Sequence, residues 1–111
     1  MDANLNDIYK GNTLEDVIFT MTNQADGTAY DLTGATITST WRRGTKDGQL
    51  VKSLSIGSGI TVTDASGGVF QFDEFVITWS PDIYYYNVTI TDTNGVILTY
   101  FIGTMRVIEN L

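Results

Sequence analysis

Apolar and polar residues alternate along most of the chain, with the period of two that is typical of half-buried β-strands. Residues 14–22 and 35–43 show this alternation most clearly. The set of residues that shares the apolar face in these two segments is Val17, Phe19, Met21, Ala35, Ile37, Ser39 and Trp41. Shorter extended segments follow at residues 49–54, 60–63, 69–72 and 75–79, then a pair at 84–91 and 96–107. Glycine, aspartate and asparagine separate them, so the pattern predicts an all-β fold, either a sandwich or a barrel.

The last two predicted strands form a hairpin whose register depends on its turn. A three-residue loop at residues 93–95, with Gly95 in the left-handed conformation, sets apolar residues opposite one another. The resulting pairs are Ile90 with Leu98, Val88 with Tyr100, and Tyr86 with Ile102. A two-residue Asn-Gly loop would set Ile90 against Thr99 instead. We predict the first register because it buries more apolar surface.

In this register the other face of the hairpin mixes apolar residues with threonine and asparagine. Its candidate interface residues are Tyr85, Ile97, Phe101 and Met105. The face is too apolar for full exposure and too polar for a core, which is typical of a contact surface. Another part of the same chain covering this face is the alternative interpretation.

Composition excludes several classes of function. The 111 residues carry six Lys and Arg against 13 Asp and Glu, a net charge of −7. Such a charge argues against binding to nucleic acid or to anionic membranes, which both require cationic surfaces. The chain has no His and no Cys, which removes the commonest general bases, thiol nucleophiles and zinc ligands. The polar, acidic N-terminus does not have the pattern of a signal peptide. Because the chain has no Cys, we expect synthesis in a reducing cytoplasm.

Candidate catalytic and ligand-binding motifs are weak. The acid pairs Glu15-Asp16 and Asp73-Glu74 are strand neighbours that point to opposite faces, so neither pair converges on one substrate. The turn aspartates Asp26, Asp47, Asp64 and Asp92 are expected to cap their own backbone. Calcium binding between loops stays an open alternative. We therefore expect no enzyme activity, no cofactor and no catalytic residue.

Basic residues concentrate in one predicted hairpin. Arg42, Arg43, Lys46 and Lys52 are opposed there only by Asp47, which gives the hairpin a charge of +3 and leaves −10 for the rest of the chain. One interpretation is a solvated hairpin whose charges prevent edge-to-edge pairing. The other is a docking element that meets an acidic surface on another subunit, including a copy of this chain. Head-to-tail contacts of that kind build rings when the rotation closes.

Both ends of the chain resemble the BppU-type N-terminal domain of bacteriophage tails. The opening Ile8-Tyr-Lys-Gly11-Asn-Thr13 and the later Tyr30-Asp-Leu-Thr-Gly-Ala-Thr36 look like that family's first strands and turn. The closing resemblance is a tyrosine-rich strand over residues 84–91, a turn at residues 92–95 and a last strand at residues 96–107 that contains Gly103. The resemblance implies an immunoglobulin-like antiparallel β-sandwich, which has about seven to nine strands.

The resemblance also implies a structural role in the phage virion. We expect one domain over residues 1–111, with residues 1–7 as a flexible N-terminal arm. The expected function is a non-enzymatic baseplate or tail component, a homo-oligomer that contacts other virion subunits and is made in the bacterial cytoplasm. One alternative is a host-surface glycan-binding or adhesion module, in which Tyr85 is the one outward-facing residue of the three consecutive tyrosines. A head or neck decoration protein of the same fold is the other.

Overall fold

A computed structural model describes residues 3–23 and 25–109 of the chain, and these residues form ten β-strands. The strands are β1 (Ile8–Tyr9), β2 (Thr13–Leu14), β3 (Val17–Thr20), β4 (Thr36–Arg43), β5 (Gln49–Ile56), β6 (Gly59–Asp64), β7 (Val69–Phe72), β8 (Phe75–Val76), β9 (Asp82–Thr91) and β10 (Ile97–Ile108). Across the described ranges, no helix is long and apolar enough to cross a membrane.

The strands pack as two layers. Eight of them follow the order β1-β10-β9-β4-β5-β6-β7-β3, and β2 pairs with β8 in a small second sheet. The pairing between β5 and β6 is short, since only two residue pairs join these strands. The chain passes from one layer to the other at this connection. The two layers face each other across the core, where the ring of Phe19 on β3 lies 4.8 Å from that of Phe101 on β10. The rings of Phe72 on β7 and Tyr86 on β9 are 5.8 Å apart across the same core.

This arrangement confirms the expected immunoglobulin-like β-sandwich. Strands β10, β9, β4 and β5 form one layer, and β6, β7 and β3 form the other, as the G, F and C strands oppose the D, E and B strands in that fold. Trp41 is fully buried on β4, where the fold places its core tryptophan. The Tyr84 hydroxyl, near the start of β9, donates a hydrogen bond to the Ser80 carbonyl at 2.5 Å, the bond of a tyrosine corner. Two of the pairings, β1 with β10 and β5 with β6, are parallel.

Most of the predicted inward-facing residues lie in the core. Met21, Ile37, Ser39 and Trp41 are almost completely buried, and Phe19 and Ala35 nearly so. Val17, at the start of β3, is half-buried. Alternation therefore identified the faces of β3 and β4 correctly, because β3 pairs with β7 and β4 pairs with β9 without a shift in register. The shift against β5 at Trp41 and Arg42 comes from an extra residue in β5.

The final hairpin follows the predicted register only next to its turn. Gly95 has a φ of 82°, and Leu98 lies opposite Ile90 as expected. Beyond Thr99 a β-bulge adds Tyr100 as an extra residue, so that Phe101 lies opposite Val88 and Gly103 opposite Tyr86. The predicted pairs of Val88 with Tyr100 and of Tyr86 with Ile102 are wrong. A bulge lets two successive residues face inward, and both Tyr100 and Phe101 are buried.

Residues 3–7 lie along the outer edge of β10. The Ala3 amide donates to the Ile102 carbonyl at 2.7 Å, and the Leu5 amide donates to the Thr104 carbonyl at 2.8 Å. Strand β1 continues this pairing in parallel with the end of β10. The segment expected as an arm thus extends the sheet over residues 3–7, and Met1 and Asp2 lie outside the described residues.

Candidate functional site

The outer face of the layer formed by β4, β9 and β10 carries mainly hydroxyl, amide and cationic side chains. We call it the outer face. Its composition follows from register, because residues paired across neighbouring strands point to the same side. The outward-facing pairs are Thr38 with Thr89, Thr40 with Asn87, Arg42 with Tyr85, Thr99 with Thr89, Ile102 with Asn87, and Thr104 with Tyr85.

A groove of about 530 Å³ runs over the outer face. The N-terminal segment forms one wall through Asn4, and the turn between β4 and β5 contributes Lys46. Arg42, Tyr85 and Ile102 line the space between these walls. Its volume is within the range of ligand sites in proteins, and it draws on four separate parts of the chain.

Hydrogen bonds fix several groove side chains in place. The Thr40 hydroxyl donates to Asn87 Oδ1 at 3.1 Å, and the Thr40 backbone amide donates to the same oxygen at 3.3 Å. Because a backbone amide can only donate, the Asn87 oxygen must face it, and the Asn87 amide nitrogen is turned the other way. Asn4 Oδ1 accepts the Thr104 amide at 3.0 Å, which ties the N-terminal wall to β10.

The groove is rich in hydrogen-bond donors and in positive charge. Arg42 donates through Nη1 to the Gly48 carbonyl at 3.1 Å, which orients its guanidinium. Lys46 is exposed beside it. No carboxylate lines the groove among the described residues, although the whole chain carries −7. An arginine that is held in one orientation and a nearby lysine suit a carboxylate or another anionic group.

The four predicted docking cations do not form one patch. Arg43 pairs with Asp82 on β9, with Nε and Oδ2 2.8 Å apart, and this hydrogen bond holds the pKa of the Asp82 carboxyl below its ordinary value. Lys52 lies over the Phe75 ring at 4.5 Å. Only Arg42 and Lys46 line the groove. The predicted docking hairpin is therefore divided, because partners from distant segments hold Arg43 and Lys52.

The predicted interface set is also divided. Ile97 is 70% exposed near the hairpin turn, and the half-buried Tyr85 lines the groove. Phe101 and Met105 are buried in the core, so their assignment to an exposed face is wrong. The bulge at Tyr100 turns both residues inward and turns Ile102, which is 51% exposed, outward. Strict alternation could not place Ile102 on the exposed face, because it does not allow for the extra residue at the bulge.

The two acid pairs meet at one corner of the opposite layer. They lie in the connections between strands, so their assignment as strand neighbours is wrong. The Glu74 backbone amide donates to Asp16 Oδ1 at 2.9 Å, and Asp73 accepts the Thr61 hydroxyl at 2.8 Å. We call Glu15, Asp16, Asp73 and Glu74 the acidic corner. Within the described ranges, no group of three or more His, Cys, Asp or Glu side chains could hold a metal ion.

The predicted turn role of the aspartates is confirmed at three of its four positions. Asp26 accepts the Thr28 amide at 3.0 Å, Asp64 accepts the Gly67 amide at 3.1 Å, and Asp92 accepts the Asn94 amide at 2.9 Å. Asp31 holds the following turn in the same way, accepting the Thr33 amide at 2.9 Å. These carboxylates serve local backbone structure.

No protein-family model matches the chain, and no curated protein matches it in sequence. The resemblance to the phage tail domain stays a prediction, and the outer face is the feature of the structure that bears on function.

Proposed function

We propose that the protein is a non-enzymatic structural component of a bacteriophage virion, in the baseplate or tail, and that it assembles with other subunits through its outer face. The observation that carries the proposal is the exposure of apolar side chains around a groove lined by tyrosine and arginine. The fold agrees with the one that the family resemblance implies.

Three isoleucines are exposed on the outer face or at its margins. Ile97 is 70%, Ile102 51% and Ile83 43% exposed, and all three belong to β9 or β10. Burying apolar surface contributes about 25 cal/mol per Å², so covering these side chains would favour association. Tyrosine and arginine are enriched at protein interfaces, and Tyr85 and Arg42 lie opposite each other in the same area. These features support a contact surface for another protein subunit.

A glycan-binding module is the second candidate, and the shape of the groove favours it. The Tyr85 ring and the donors around it could hold a sugar in a space of about 530 Å³. This candidate predicts binding to immobilised glycans by the isolated protein, with loss of binding in Tyr85→Ala. A glycan array on which wild type and Tyr85→Ala behave alike would contradict it.

The virion role is tested on particles. Phages that carry the coding sequence would be purified by density gradient, and mass spectrometry would measure copies of this protein per particle. We expect a fixed stoichiometry, and we expect deletion of the coding sequence to yield particles that lack a tail or baseplate feature in electron micrographs. Protein that is abundant in infected cells but absent from purified particles would contradict the proposal.

A further inference from the structure

We infer that the groove of one copy receives the acidic corner of a second copy, so that the copies join head to tail. The inference rests on the proposed function, since it specifies the partner and the polarity of the contact that the outer face makes. It is carried by the distribution of charge between the two layers of the sandwich.

The groove is the part of the surface that suits a carboxylate. Arg42 and Lys46 line it, and among the described residues no acid does. One nitrogen of Arg42 bonds to the Gly48 carbonyl, which leaves its other N–H groups to form charge-assisted hydrogen bonds. The amide nitrogen of Asn87 adds a donor on the same side. In a chain of net charge −7, an acidic partner is attracted here and repelled over most of the remaining surface.

The acidic corner is the surface that best supplies those carboxylates. Asp7 and Asp82 already pair with Arg106 and Arg43. The aspartates that hold turns are engaged with their own backbone, namely Asp26, Asp31, Asp64 and Asp92. The corner carboxylates come from two adjoining segments. Asp16 accepts the Glu74 amide and Asp73 accepts the Thr61 hydroxyl, so Glu15 and Glu74, which are both exposed, are the carboxylates that the corner offers to a partner. Lys52 borders the same hollow as Asp73 and Glu74 and offsets one negative charge, which leaves the corner acidic.

The positions of the two surfaces determine the symmetry. The groove lies on the layer of β4, β9 and β10, whereas the corner lies where β3 begins and β7 ends in the other layer. A two-fold contact that placed groove on groove would bring like charges together. A contact of groove with corner is heterologous, so it repeats from copy to copy and forms a ring if the rotation closes. Because it depends on exposed charges, high salt weakens it.

A charge-swap experiment tests this contact. The groove variant is Arg42→Glu with Lys46→Glu, and Lys46→Glu alone is a milder form that keeps the bond from Arg42 to Gly48. The corner variant is Glu15→Lys with Glu74→Lys. It keeps Asp16, which still accepts the hydrogen bond from the backbone amide of residue 74. Lys10→Glu, an exposed cation outside the groove, is the control with the same charge change as Lys46→Glu. Circular dichroism melts verify folding, and light scattering measures mass.

We expect wild type and Lys10→Glu to assemble beyond a dimer, and each reversed variant alone to be monomeric. An equimolar mixture of groove and corner variants should again assemble beyond a dimer, with the two variants alternating. The reversed groove then meets the reversed corner, and the unchanged groove of the corner variant meets the unchanged corner of the groove variant. Folded reversed variants that assemble like wild type, or a mixture that stays monomeric, would overturn the inference and leave the proposed function standing. A wild type that stays monomeric at every concentration would count against self-assembly itself.

Discussion

The indole of Trp41 stacks on the ring of Tyr86, with ring centroids 4.6 Å apart and an angle of 16° between the planes. The two residues are register partners on β4 and β9. Their neighbours in sequence, Arg42 and Tyr85, are the next register pair and point to the opposite side. The same pairing of β4 with β9 therefore places the stacked pair in the core and sets the arginine opposite the tyrosine in the groove.

Removing the Trp41 side chain should destabilise the domain severely. Trp41 is fully buried, and replacing a buried tryptophan by alanine typically costs about 3–5 kcal/mol. We expect Trp41→Ala to lower the free energy of unfolding by that amount in urea denaturation. Trp79→Ala is the comparison, since Trp79 is only half-buried and its loss should cost less. Equal losses for the two variants would contradict the central role of the stacked pair.

Gly103 should be required for docking of the N-terminal segment. A Cβ at this position would clash with the Ala3 carbonyl oxygen, which is backbone and cannot rotate away. The Tyr86 hydroxyl also donates to that carbonyl. We expect Gly103→Ala to displace residues 3–7 and to accelerate hydrogen exchange at the Leu5 amide.

Tyr86→Phe is the matched variant for this experiment, because it removes the hydroxyl bond and adds no atom. Exchange at Leu5 should rise less in Tyr86→Phe than in Gly103→Ala. Unchanged protection in Gly103→Ala would show that the segment is not held by this close approach.

Stability should fall on the alkaline side, because of Tyr86. Burial raises the pKa of the Tyr86 hydroxyl above its ordinary value, which is about 10 for a tyrosine. The unfolded chain therefore loses this proton first, so stability is retained below about pH 10 and decreases as the pH rises further. Tyr86→Phe should flatten this alkaline decrease in the free energy of unfolding. An equally steep decrease in the variant would assign the effect to other groups, including Tyr84, whose pKa burial also raises.

The pair of Arg43 and Asp82 should be visible in a carboxyl titration. The hydrogen bond from Arg43 lowers the pKa of Asp82, so any stabilisation is present above the ordinary aspartate pKa and is lost as the pH falls through the lowered value. Carbon-13 NMR should show the Asp82 pKa moving upward in Arg43→Gln. Lys46→Gln, which removes a cation without an observed bond to Asp82, should leave it in place.

The alternation along the sequence predicts the all-β fold and the inward faces of β3 and β4, and the family resemblance implies the sandwich. Both fail where residues far apart in the chain decide the outcome. The inward face of β4 and the Gly95 turn follow from local alternation and turn chemistry. The bulge at Tyr100 does not follow from them, because one extra residue in a strand does not change the composition of the strand in a recognisable way.

The candidate site was only partly predictable for the same reason. Tyr85 and the cations of the β4–β5 hairpin were identified from their positions. Asn4 lines the groove because the N-terminal segment pairs with β10. Arg43 does not line it, because it forms an ion pair with Asp82, 39 positions away. Long-range register thus determines which predicted residues meet.

The central claim, that the outer face is an assembly surface, is tested most directly by multi-angle light scattering over a concentration series. Ile102→Asp places a charge among the exposed apolar residues of that face. Ile56→Asp is the matched control, since Ile56 is 45% exposed at the end of β5, outside both the groove and the acidic corner. We expect wild type and Ile56→Asp to assemble and Ile102→Asp to remain monomeric. Ile102→Asp that assembles like wild type, or a wild type that is monomeric throughout, would contradict the claim.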